Sequence, residues 1–175
     1  RLEKQKRPET FIKAAARMQE ELGDKVAFIM MGRSSTDDQS YVHSITQKER
    51  VGQLFCLGFC DPIDPFLCSL DVLLSTGVNE GFGRVTVEAM LWNIPVVATD
   101  SGGHREIIIH AQTGFLVPCD DEKAFAKYAL RLLKQPDLML ELTGNANREA
   151  KKKYPAKLHM KQIIECYQKA LRGLT

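Results

Sequence analysis

STGVNEGFGRVTVEAMLWNIPVVATDSGG, residues 75–103, is the stretch whose reading decides the fold. It begins at the end of an apolar run, Asp71–Thr76 (DVLLST), and turns through Gly81 and Gly83. From Gly83 to Trp92 the apolar residues have helical spacing: Val85, Ala89 and Trp92 share a face, with Val87 and Met90 beside it. IPVVATD, residues 94–100, is a second short apolar run, closed by Gly102 and Gly103. Strand, glycine turn, helix, strand is the unit from which parallel sheets are built.

The same alternation extends in both directions. Pro8 suits the first position of a helix that runs through ETFIKAAARMQEELG and stops at Gly23. KVAFIMMG and GQLFCLGF read as buried strands, with a polar helix, TDDQSYVHSITQKER, between them. A short helix opened by Pro62 covers Asp61–Ser69. Downstream, GGHREIIIHA turns from glycines into a helix and GFLVP is a short strand. Three helices, at about Asp121–Lys134, Asp137–Lys153 and Ala156–Leu171, close the chain. Fully apolar strands alternating with helices predict an α/β fold: a mostly parallel sheet with helices on both faces.

In such a sheet ligands bind beyond the carboxyl ends of the strands. The loops to inspect are therefore Arg1–Arg7, Gly32–Thr36, Gly58–Asp61, Thr76–Gly83 and Asp100–His104. The Thr76–Gly83 loop carries the chemistry. Gly81 and Gly83 permit a tight turn and close approach of a ligand to the backbone. The helix that starts there points free N–H groups and the positive end of its dipole into the crevice, which suits phosphates. Glu88 lies about one and a half turns into that helix. A carboxylate there accepts two hydrogen bonds from a vicinal diol such as a ribose. Glu80, before the turn, sits where a second hydroxylated group beyond the phosphates would lie. Ribose, diphosphate and sugar in that order describe a nucleotide-sugar.

Composition is compatible with this reading and narrows it little. The 175 residues are 44% hydrophobic and 26% charged, ordinary for one globular domain. A net charge of +2 does not call for a nucleic-acid partner, and none is expected. Five cysteines at irregular spacings, Cys56, Cys60, Cys68, Cys119 and Cys166, read as reduced and mostly buried thiols, with no metal site. There is no apolar run of membrane-span length and no signal peptide, so a cytoplasmic location is expected. The basic segment REAKKKYPAKLHMK reads as a solvated helix face, or as peripheral contact with the cytoplasmic face of a membrane. His104 and Glu106 read as capping or solvated residues in preference to site residues.

The motifs EGFGRVTVEAM, PVVATDSGGHREII and TGFLVP resemble the C-terminal, donor-binding domain of glycosyltransferase family 4, the glycosyl transferases of group 1. These are retaining GT-B enzymes with two Rossmann-like domains. Glu80 and Glu88 match the family's E-x7-E motif, and RLEKQKRPETFIKAA is similar to its Gly-Arg-Leu and Lys segment. The resemblance implies that Arg1 and Lys6 contact the donor's diphosphate and stabilise the leaving nucleotide. It implies that the backbone of Arg84 and Val85 faces the same diphosphate, and that Glu88 holds the ribose. Glu80 would hold the donor sugar, Gly81 and Phe82 would line its end of the site with Gly83, and the Gly58–Phe59 backbone would lie near the base. No metal cofactor is expected, Lys and Arg taking that place. Thr76 and Gly77 depart from the family's Pro-Ser, and Gly32, Arg33 and Ser34 from its Gly-Asp-Gly-like run.

The implied activity is transfer of a hexose-type sugar from a nucleotide diphosphate donor to a hydroxyl acceptor. The charged opening RLEKQKRPET leads into a helix with no strand before it, so the first strand and an N-terminal acceptor domain are expected to lie outside this chain. Residues 1–175 then form a single nucleotide-sugar-binding domain, inactive in transfer by itself. A non-catalytic nucleotide-binding or scaffold domain and a sugar-nucleotide epimerase are the alternatives. A glycoside hydrolase is rejected, because a diphosphate-binding helix start separates the two carboxylates, whereas hydrolases place both across one glycosidic bond.

Overall fold

The structure, a computed structural model, describes residues 3–155 together with Met160, Ile164, Glu165, Tyr167 and Gln168. Its helices are α1 (Pro8–Leu22), α2 (Thr36–Glu49), α3 (Asp64–Leu67), α4 (Arg84–Leu91), α5 (His104–Ile107), α6 (Glu122–Lys134) and α7 (Pro136–Lys153). The strands are β1 (Phe28–Met31), β2 (Leu54–Leu57), β3 (Leu73–Ser75), β4 (Val96–Thr99) and β5 (Phe115–Val117). All pairings are parallel, in two sheets of order β1-β2 and β3-β4-β5. The single sheet expected from sequence is thus divided in two. Strands of three or four residues leave few ladder positions through which to join.

The alternation of β4 shows why helices cover both faces. Val96 and Ala98 pack with Val87, Ala89 and Met90 of α4, Ile107 of α5, and Ala146 and Ala150 of α7. Val97, between them, packs with Ala14 of α1, Phe125 and Leu132 of α6, and Leu142 of α7. Every residue of β4 is buried, as a central parallel strand requires. A third cluster joins α1, α2 and α6 to Phe28 and Met30 of β1.

Local signals set most element boundaries. Pro8 opens α1, and Gly23 ends it with φ at 60°. Ser35 and Asp38 form a reciprocal capping box at α2. Four further expectations need correction. The helix expected over GGHREIIIHA is the single turn of α5, because Ile108 is already extended (φ −101°, ψ 127°) and the β-branched run Ile107–Ile109 favours that geometry. Trp92 is not on the buried face of α4. It is the C-cap residue, its ring is exposed, and its indole N–H donates to Asp64 Oδ1 at 2.8 Å. The face α4 buries is Thr86, Val87, Ala89 and Met90.

Nor are the thiols mostly buried: Cys56, Cys68 and Cys119 are exposed and Cys60 is partly so. Cys56 lies in β2, whose central residues Phe55 and Cys56 face solvent, unlike the buried strand expected there. Cys166 and most of the helix expected at Ala156–Leu171 lie outside the described residues.

Candidate functional site

A cleft of about 1660 Å³ opens beyond the carboxyl ends of β1 and β3. Of the expected site residues, Lys6, Phe59, Glu80, Phe82, Gly83, Arg84, Val85 and Glu88 line it together. Gly58 and Gly81 are adjacent in sequence to lining residues but do not line it themselves. Arg1 lies outside the described residues. The apolar wall comes from Ile29, Met30 and Met31 of β1 and Phe66 and Leu67 of α3.

Lys6 is placed by backbone bonds. It closes a one-turn 3-10 helix at Lys4–Lys6 that is fastened to the Thr76–Val78 loop. Val78 N–H donates to Gln5 O at 3.2 Å, and the Thr76 hydroxyl donates to Lys6 O at 2.8 Å. Its ammonium then forms an ion pair with Glu80 across the cleft mouth. Gly77 makes room for that pair: a Cβ there would lie 2.8 Å from Glu80 Oε1. The departure from Pro-Ser at positions 76–77 therefore has a local physical meaning in this chain.

The turn before α4 places the free amides of the helix start. Gly83 is the N-cap residue with φ at 65°, a left-handed conformation that glycine adopts without steric cost. Thr86 N–H bonds back to Gly83 O at 2.9 Å, whereas the N–H groups of Arg84 and Val85 have no partner among the described residues. Those two donors, at the positive end of the helix, are free to bond an anion. Glu88, further along the same helix, is half-buried in the cleft wall. It has no ion pair or side-chain hydrogen bond among the described residues. An unpartnered carboxylate beside an anion site cannot itself hold phosphate, and is free to accept from hydroxyls.

At the other end, Arg33 lies over the Phe59 ring, 4.7 Å from its centroid, so the two side chains form a flat platform. Arg33 lines the cleft while remaining exposed.

The Asp100–His104 loop, expected to face the crevice, backs the site instead. Gly103 N–H donates to Glu80 O at 2.8 Å, and the Ser101 hydroxyl accepts from Asn79 N–H at 3.1 Å. Gly102 and Gly103 lie so close to the Glu80–Phe82 backbone that no side chain fits between them. His104 is neither a solvated nor a capping residue: it is fully buried, with both ring nitrogens bonded. Burial pushes its pKa below the ordinary imidazole value. The Thr99 carbonyl and Glu80 oppose that shift, and Lys6 adds to it.

Two cleft residues, Lys153 and Tyr154, carry no signal in the sequence. They come from the end of α7, about 70 positions after the E-x7-E motif, inside the segment read as a solvated basic face. Tyr154 stacks edge-on against Phe82 with ring centroids 5.3 Å apart. Its hydroxyl also donates to Glu106 O at 3.3 Å, so tertiary contacts place it in the site.

The fold and this cleft define an α/β domain with the free amides of a helix start at a strand end. The model of the family "Glycosyl transferases group 1" matches residues 1–153, and the chain belongs to that family. It is 28% identical over 169 residues to the N-acetyl-alpha-D-glucosaminyl L-malate synthase of Bacillus anthracis, covering 97% of this chain and 44% of that protein. A putative glycosyltransferase of Bacillus subtilis, EpsD, is 32% identical over 110 residues, 63% of this chain and 29% of its own length. The chain thus spans less than half the length of these curated relatives. Anabaena HepE, solved in complex with UDP and glucose, superposes with a TM-score of 0.88 at 26% identity, over 96% of this chain and 46% of HepE. The fold is the Rossmann-like one of GT-B glycosyltransferases.

Proposed function

We propose that the chain is the donor-binding domain of a retaining glycosyltransferase that moves a hexose-type sugar from a nucleotide diphosphate to a hydroxyl acceptor. One observation carries the proposal. A single cleft gathers the free amides of Arg84 and Val85, the Lys6 ammonium, and two carboxylates, Glu80 and Glu88, that flank them. In this reading the diphosphate sits on the α4 amides with Lys6 and Arg1 about it. Glu88 holds the ribose, Glu80 the sugar, and the Arg33–Phe59 platform lies at the base end. Departure of the nucleotide leaves charge on the diphosphate, and fixed positive groups favour that transition state. These cations fill the role that a metal would otherwise have. No protein nucleophile is assigned; an oxygen of the leaving diphosphate assists the acceptor.

The complex of HepE with UDP and glucose makes UDP the first base to try. The acceptor is assigned to an N-terminal domain beyond this chain, so the chain alone binds donor and transfers little or nothing. A cytoplasmic location, with the basic C-terminal region near a membrane surface, completes the proposal. The joint retention of Lys6, Glu80 and Glu88 favours a transferase over a scaffold domain, which needs none of the three.

Calorimetric titration of the chain with UDP, GDP, ADP and UDP-glucose, beside Glu88→Ala, tests this. Saturable binding of one nucleotide, weakened in the variant, is expected. Binding of none, or binding indifferent to Glu88, overturns the reading.

A further inference from the structure

His104 is the one fully buried histidine of the described residues, and the proposed chemistry does not use it. Its Nδ1 lies 3.1 Å from Thr99 O, at the end of β4, and its Nε2 3.0 Å from Ser75 Oγ, at the end of β3. A carbonyl oxygen only accepts, so Nδ1 carries the proton and Nε2 accepts from the Ser75 hydroxyl. The ring is thereby fixed in one tautomer and one orientation. Its Cδ2–Nε2 edge bears on Gly83: a Cβ there would lie 3.1 Å from Cδ2 and 3.3 Å from Nε2. Gly83 is the residue whose left-handed backbone turns the Arg84 and Val85 amides toward the cleft.

We propose that His104 is a positioning residue of the anion site: bolted to the ends of β3 and β4, it is the floor on which the Gly83 turn rests, and it aims the α4 amides at the diphosphate. This rests on the donor-site reading above. The ring does not itself line the cleft, so it acts through Gly83, not by touching ligand. A side chain that only filled the core would affect all binding alike. One that aims the amides affects the part of binding that comes from phosphate.

The test compares UDP with uridine, titrated into the whole chain by NMR, for wild type, His104→Gln and Ser75→Ala, with thermal melts for each. The inference expects His104→Gln to weaken UDP by roughly tenfold, the scale of two lost hydrogen bonds, and uridine by less than about twofold. Ser75→Ala, which keeps the ring and its packing, is expected to show the same selectivity at roughly fivefold, and decides the matter if His104→Gln does not melt cooperatively. Equal loss for both ligands, or an unchanged ratio, overturns the inference while leaving the donor site standing. Failure of wild type to bind UDP or any other nucleoside diphosphate overturns both.

Discussion

Gly103→Ala isolates the packing of the two loops behind the site. Gly103 has φ −61° and ψ −19°, an ordinary right-handed conformation, so alanine brings no backbone strain. The whole effect must come from the added methyl. It would lie 2.7 Å from Gly81 O, 2.9 Å from Phe82 Cα and 3.1 Å from Gly81 C, all backbone atoms with no rotamer to yield. Ordinary contact begins at 3.4 Å, so the Gly81–Phe82 backbone must retreat by about 0.7 Å (3.4 − 2.7). Overpacking of this kind costs roughly 1–3 kcal/mol. For a chain of this size that is a fall in melting temperature of about 2–12 °C. Gly81→Ala is the control: nothing lies within 4 Å of its Cβ and its φ is not in the left-handed region. It changes stability by less than about 0.5 kcal/mol. Thermal and urea unfolding of both variants, each followed by a UDP titration, provides the assay. Gly103→Ala should lose both stability and affinity. If it melts within a degree or so of wild type, the loop contact is looser than described and the reasoning fails.

Other outcomes follow from single groups. Thr86 is fully buried and its hydroxyl has no partner among the described residues, so Thr86→Val, nearly isosteric, should stabilise by about 1 kcal/mol in chemical unfolding; destabilisation would mean the hydroxyl is bonded. Asn147 donates to Leu91 O at 2.7 Å and Met90 O at 3.3 Å, closing the end of α4; Met90 O also accepts from Asn93 N–H at 3.2 Å, so Asn147→Ala costs chiefly the Leu91 bond, roughly 1 kcal/mol in urea unfolding, and an unchanged midpoint would mean that bond adds nothing. The pKa of His104 is lowered in the folded chain, so the unfolded chain binds its proton more readily. Its contribution to stability is complete above the unfolded value of about 6.5 and is lost progressively as pH falls from there toward the folded value. Melting curves across that interval should slope downward toward acid, with a shallower slope in His104→Gln; equal slopes would remove His104 as the cause.

Much of this was legible because the deciding signals are local. Strand, glycine turn and helix at residues 75–91 are fixed by residue type and spacing, and the E-x7-E motif falls where the cleft is. Pro8 and Gly23 bound α1 by backbone chemistry alone. Illegible parts depend on contacts between distant segments. The burial of His104 comes from Ser75 and Thr99, two different strand ends. Gly102 and Gly103 look like a turn in sequence but serve close packing against Glu80–Phe82. Tyr154 reaches the site through contacts with Phe82, the Glu106 carbonyl and the core beneath α4. The division of the sheet and the exposure of β2 likewise follow from which strands find partners, a property no single strand encodes.

In the proposed function the two carboxylates, Glu80 and Glu88, grip different parts of one ligand. Titrating UDP and UDP-glucose into wild type, Glu88→Gln and Glu80→Gln tests it most directly. Glu88→Gln should weaken both ligands equally, by roughly tenfold, since both carry the ribose. Glu80→Gln should leave UDP unchanged or bound more tightly, because Lys6 is released from its ion pair, and should weaken only UDP-glucose. Equal losses for both ligands in both variants would contradict the account.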